Sequence, residues 1–203
     1  MAEALAGAEV VVDASNAPVW DDAAVLEFFE TSSRNLTEAA ASAGVKHYVA
    51  MSIVSADRLP ESCYLRAKVA QEEVVKSGAV PFTLVRATQF FEFIGQIADS
   101  CTSGSTARVS SARFQPAAVA ELDAAWRMWR WGSRRMGSSR WPAPNRSPWT
   151  RPSRLLSADG DPRTVVSDPE APYFGTVLDT DSLVPHDNPH LTPTRLDDWL
   201  AQR

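Results

Sequence analysis

Three apolar runs alternate with two amphipathic stretches in the first half of the chain, and this order constrains the fold most. The first run, Glu9 to Asp13, includes "VVV", the β-branched signature of a strand buried on both faces. After Asp21 or Asp22, either of which can cap a helix, apolar residues recur at Val25, Phe28, Phe29, Leu36, Ala39, Ala40 and Ala43. That is helical spacing, and Gly44 stands where a C-terminal glycine ends such a helix. "VKHYVAMSIV" (45–54) is the next strand. "LPESCYLRAKVAQEEVVKSG" reads as a second helix, capped near Ser62 and stopped at Gly78, and "PFTLVR" (81–86) as a third strand. Strand–helix–strand–helix–strand with short turns is the pattern of parallel β-α-β units, so an α/β fold with helices covering a parallel sheet is expected. An antiparallel α+β domain fits less well, because no hairpin signal separates the strands.

In open parallel sheets, ligands sit outside the carboxyl ends of the strands. That rule selects Ala14, Ser15 and Asn16 after the first strand, Ser52 to Ser55 at the end of the second, and Ala87 to Phe91 after the third. "YLRAK" sets Tyr64 and Lys68 four residues apart, on one side of a helix. An ammonium beside a phenol favours the phenolate, so this pairing is expected to lower the Tyr64 pKa. A tyrosine so tuned passes a proton to or from a carbonyl or alcohol oxygen. Ser52 could hydrogen-bond the same oxygen. The plain alternative is a surface lysine beside a packed tyrosine.

Composition narrows the partners. The net charge is −5, and one stretch, "WRMWRWGSRRMGSSRWPAPNRSPWTRPSR" (126–154), supplies +8, leaving −13 for the rest. An acidic body argues against nucleic acid as a partner. Two cysteines, Cys63 and Cys101, are too few for a disulfide scaffold and lack zinc spacing. No apolar run is long enough to span a bilayer. The expectation is a cytoplasmic protein with no nucleic-acid or membrane partner and no metal.

The phrases "AEALAGAEVVVDASNAP", "AVLEFFETSSRNLTEAAASAGVKHYVAMSIV", "LPESCYLRAKVAQEE", "PFTLVRATQFFEF" and "FQPAAVAELDAA" occur in this order. With the tail "GDPRTVVSDPEAPYFG…SLVP…TPTRLDDWL", they resemble the NmrA-like group of atypical short-chain dehydrogenase/reductases. The resemblance implies a Rossmann-type parallel sheet with helices on both faces and a cofactor of NADP or NAD. It implies Tyr64 as proton donor, Lys68 as the group that holds the ribose and tunes Tyr64, and Ser52 as support for the substrate oxygen. Ser15, Asn16, Lys68, Ala87 and Thr88 would hold the cofactor. Gln89 and Phe90 would meet substrate, with Phe91 beside them; the alternative for both phenylalanines is the core. Intact relatives would reduce a carbonyl or quinone-type small molecule. The alternatives are a non-catalytic dinucleotide sensor and an inactive fragment.

A dinucleotide-binding fold normally carries G-x-G-x-x-G between its first strand and helix, where backbone N–H groups meet the pyrophosphate. None of the nine glycines forms a G-x-G pair. By the resemblance, Met1 falls late in the family's pattern, so the first β-α-β elements are expected to be missing and cofactor affinity to be weak or absent. The expected organisation is a partial Rossmann domain at 1–125, an aberrant segment at 126–153 and a substrate-side segment at 154–203.

The basic stretch holds five of seven tryptophans and eight arginines, and no Asp or Glu. It reads as a nucleic-acid arm with aromatic platforms, as a disordered linker, or as an off-frame translation. The third reading alone explains the local switch to Trp and Arg. If each codon borrows the last base of the preceding one, Trp129 becomes valine while Gly132 and Gly137 stay glycine. G/C-rich codons then allow "VADVALGEPANGIVEVAGPEPIAVDEAV", with an alternating strand in its middle. As translated, "WRMWRW" lacks a period of 2 or 3.6, and the segment is expected to be irregular. His186 and His190 read as surface histidines, and His47 as a strand packing residue. Asp197, Asp198 and Trp199 read as a terminal helix docked by Trp199.

Overall fold

The computed structural model describes residues 2–18, 21–122, 137–141, 147–148, 162–185 and 192–202. The chain divides into two compact units, one of Met1–Ala87 with Ala125–Ser139 and one of Thr88–Ala124 with Arg140–Arg203.

The first unit is the alternating pattern realised. Strands β1 (Val10–Asp13), β2 (His47–Ile53) and β3 (Phe82–Ala87) pair in parallel, Asp13 opposite Ala50 and Ile53 opposite Ala87. Helices α1 (Asp22–Ser42) and α2 (Cys63–Ser77) make the two crossovers. They pack against each other, as successive right-handed crossovers running one way along a sheet require. Val11, Tyr48, Ala50 and Leu84 of the sheet meet Ala40 of α1 and Val75 of α2 in the core.

Helix ends are set by local chemistry. Asp21 caps α1 by accepting the Ala24 N–H, and Ser62 caps α2 through the Leu65 N–H. Gly44, at φ 71°, follows α1; its N–H reaches the Ala41 carbonyl while the Val45 N–H reaches that of Ala40, a Schellman closure. Gly78 ends α2 differently, in extended backbone with its N–H on the Val75 carbonyl. The buried face of α1 holds Val25, Phe29, Ser33, Thr37 and Ala40, so two hydroxyl residues sit where only apolar ones were expected. Thr37 satisfies its hydroxyl on the Ser33 carbonyl one turn back, at 2.8 Å.

The second unit contains α3 (Ile94–Ser100) and short strands. They are β4 (Thr102–Ser103), β5 (Thr106–Val109), β6 (Arg113–Phe114), β8 (Ser147–Pro148) and β9 (Thr164–Ser167). β5 pairs antiparallel with β4 and parallel with β9, and β6 pairs antiparallel with β8. A short terminal helix α4 (Leu196–Leu200) carries Asp197, Asp198 and Trp199, and Trp199 stacks on Phe91 with ring centres 5.5 Å apart.

β7 (Gly137–Trp141) adds to the parallel sheet beside β3. The expectation that the whole basic segment is irregular therefore fails at β7 and β8. The rest of 126–154 lies outside the described residues, as do His186 and His190. Among the described residues, no helix is long and apolar enough to cross a membrane and no cluster of His, Cys, Asp and Glu could hold a metal ion.

Candidate functional site

The carboxyl end of β1 turns sharply at Asp13, Ala14, Ser15 and Asn16. Asp13 Oδ1 accepts both the Ser15 N–H (3.0 Å) and the Ser15 hydroxyl (2.6 Å), which folds the loop back on the strand end. Asn16 Oδ1 then accepts the Tyr64 hydroxyl at 2.8 Å. Tyr64 lies in the first turn of α2, where its ring packs edge-on to Phe29 at 6.0 Å. Tyr64 and Asn16 therefore meet at the carboxyl rim of the sheet.

Lys68 lies one turn further along α2 and turns inward. Its amine donates to the Met51 carbonyl of β2 at 2.8 Å and to Gln71 Oε1, and lies 4.4 Å over the Phe29 ring. Lys68 is 4% exposed. Burial lowers its pKa to about 8, against the opposing pull of Asp13 and Glu72. Phe29 thus touches both members of the pair: the phenol meets its ring edge-on and the ammonium lies over its face.

This geometry corrects the expected tuning. Lys68 directs its protons at Met51 and Gln71 rather than at Tyr64, and burial raises the Tyr64 phenol to about 12. The spacing of four does place both residues on one side of α2. Desolvation, which spacing cannot report, decides the direction of the shift.

Ser52 is also placed elsewhere than expected. It is 1% exposed and donates to Glu72 Oε1 at 2.6 Å. Glu72 in turn accepts Arg86 Nε (2.8 Å) and Nη2 (2.7 Å), and Arg86 Nη1 reaches Asp57 at 2.6 Å. These bonds hold the Arg86 pKa above its ordinary value. Ser52 therefore belongs to a buried ion cluster between β2, β3 and α2. Sequence reasoning missed Glu72 and Arg86; the signal was a charged residue inside each of two otherwise core-facing runs. Nearby, Ser55 adopts a left-handed φ of 65° and meets Arg58, an uncommon conformation for a residue with a Cβ. Ala87 closes β3, where its carbonyl accepts the Val54 N–H.

In the second unit, Thr88 and Gln89 are buried. Gln89 donates to the Tyr173 hydroxyl at 3.2 Å, and its Oε1 is buried without a partner among the described residues. Phe90 bridges to Ala117 and packs edge-on to Phe93 at 6.1 Å, while Phe91 is core. Tyr173 begins a tight turn in which Phe174 takes φ 45° and Gly175 φ 84°.

A nicotinamide dinucleotide fits these residues in part. The Asn16 carboxamide N–H₂ donates to no described residue, and with the Tyr64 hydroxyl it offers polar contacts at the rim where such a group binds. Lys68 does not present its amine to a ribose, and the sequence holds no glycine cradle for the pyrophosphate.

Solved structures share the fold at low identity. The MoeE5 complex with UDP-glucose and NAD is 16% identical, with a TM-score of 0.69 over 98% of this chain and 79% of that one. The triphenylmethane reductase of Citrobacter sp. complexed with NADP(H) is 17% identical, with a TM-score of 0.65 over 99% and 78%. The NADPH-dependent quinone oxidoreductase QOR2 of Escherichia coli, complexed with NADPH, is 19% identical, with a TM-score of 0.63 over 84% and 59%. No curated protein matches the sequence. Residues 1–123 match the NAD(P)H-binding family, and with that match over more than half its length this Rossmann-type chain belongs to the NAD(P)H-binding family.

Proposed function

We propose that the chain is an NmrA-like short-chain dehydrogenase/reductase type of protein that reduces a carbonyl or quinone-type small molecule, with Tyr64 as proton donor. The observation that carries this reading is the Tyr64 hydroxyl held by Asn16 at the carboxyl rim of a parallel sheet. Reduction of such an acceptor adds a hydride to one atom and a proton to its oxygen. The dinucleotide, when bound, supplies the hydride. Tyr64 supplies the proton: its raised pKa keeps the phenol protonated at every ordinary working pH. As a weak acid it releases that proton only to an oxygen that is gaining charge. Ser15, Asn16 and Ala87 line the rim for the cofactor in this reading, and Thr88 follows Ala87 in the chain. Gln89 offers a spare buried acceptor to a substrate donor, with Phe90 as an apolar neighbour. The quinone and triphenylmethane reductases share the fold and bear on the substrate class.

The test is NADPH oxidation with a simple quinone and a simple aldehyde. Tyr64→Phe should lower turnover about 100-fold or more, the usual scale for losing a general acid. Unchanged turnover in that variant would remove Tyr64 from the mechanism. A second reading, a non-catalytic dinucleotide sensor, is favoured by the inward commitment of Lys68. It predicts NADPH binding with no turnover in the parent chain.

A further inference from the structure

We propose that Asp13 is a positioning residue whose one carboxylate orients both the loop that fixes Tyr64 and, through Gln71, the amine of Lys68. The inference rests on the reading of Tyr64 and Lys68 as site residues, but its test does not depend on turnover.

Asp13 is 3% exposed, so its carboxylate must be met by donors on every side. Four donors meet it. Oδ1 accepts the Ser15 N–H and hydroxyl, at 3.0 and 2.6 Å. Oδ2 accepts the Tyr48 hydroxyl from β2 at 2.8 Å and Gln71 Nε2 from α2 at 3.0 Å. The Tyr48 phenol is driven upward by burial and by the Asp13 charge, so it stays a donor.

The direction of the chain of bonds follows from charge. A carboxylate only accepts and an ammonium only donates. Gln71 lies between one of each, so its N–H₂ must face Asp13 and its oxygen must face Lys68, as observed. Asp13 therefore selects the single amide orientation that holds the Lys68 amine against Met51 and Phe29. On its other oxygen, the same carboxylate folds back Ser15 and so places the adjacent Asn16 under the Tyr64 hydroxyl. The remaining charge acting on Lys68 is Glu72, which is already paired with Arg86 and beyond it Asp57. Removing Asp13 thus removes the one acidic partner of Lys68 that carries no cationic partner of its own among the described residues.

The chain has three lysines, and Lys46 and Lys76 are exposed, so a ¹³C-lysine-labelled sample reports Lys68 as the buried signal titrating near 8. A parallel ¹³C-tyrosine sample reports the Tyr64 ring. Asp13→Asn should lower the Lys68 midpoint by about 1 pH unit or more, the scale set by an adjacent opposite charge. It should also shift the Tyr64 resonance. Gln71→Met, which keeps the charge but cuts the link, should lower the midpoint as well and leave the Tyr64 ring in place. A Lys68 midpoint unchanged in whichever of these variants folds would overturn the proposal, as would an unmoved Tyr64 in folded Asp13→Asn. Loss of the reductase reading, seen as unchanged turnover in Tyr64→Phe, would leave these titrations standing.

Discussion

Lys68 is the residue whose environment says most about the site. Its pKa of about 8 lies below the ordinary 10.5, so between those values the unfolded chain binds more protons than the folded one. Stability should therefore rise with pH across that window. Below about 8 both states carry the proton and the full cost of burying the charge is present. A Lys68→Met chain lacks this term, so urea unfolding at a series of pH values isolates it. The stability of the parent relative to Lys68→Met should climb by on the order of 3 kcal/mol across the window. A flat difference would mean that the amine is solvated in the folded state. Tyr64 and Lys68 were legible in the sequence as a pair because a spacing of four fixes their helix side. Their electrostatics were not. Burial and the neighbours Met51, Gln71 and Phe29 come from β2 and from both helices, and those contacts exist only after packing. Ser52 shows the same limit. Its position at a strand end suggested the rim, but Glu72 and Arg86, charges buried as a pair, draw its hydroxyl into their own cluster.

At the level of elements, what the sequence showed were the features decided within a few residues. Both crossover helices begin at Asp21 and Ser62, the first helix ends at Gly44, and the three parallel strands fall on the three apolar runs. Gly44 gives a direct check. Its φ of 71° is left-handed, and a Cβ there would meet nothing within 4 Å, so any cost is conformational. Gly44→Ala should destabilise the chain by about 1 kcal/mol in equilibrium unfolding, from backbone strain alone. No loss would show that the turn relaxes freely. What was not legible is non-local. β5 pairs with β9 across a long stretch of chain, and β6 with β8, each through strands too short to carry a period. Thr37 was hidden for another reason: a hydroxyl bonded to its own helix can be buried like an apolar group, and no hydropathy pattern marks it.

For the whole molecule, the family match and the parallel sheet agree on a nicotinamide dinucleotide, while the sequence offers no G-x-G pair to hold its phosphates. The basic segment bears on the same question. β7 falls at Gly137–Trp141, where the off-frame peptide has its alternating strand. The off-frame reading itself predicts compensating single-base shifts in the coding DNA near codons 126 and 153 that restore that peptide; an uninterrupted frame with no such pair would discard the off-frame origin. The central claim is the place of the site, and the chain's three tyrosines make it measurable. Titrating ¹³C-tyrosine-labelled protein with NADPH should move the Tyr64 ring resonance with a midpoint in the millimolar range, as expected for a dinucleotide held at the rim without a glycine cradle. A Tyr64 signal that stays fixed at every NADPH concentration would contradict the account.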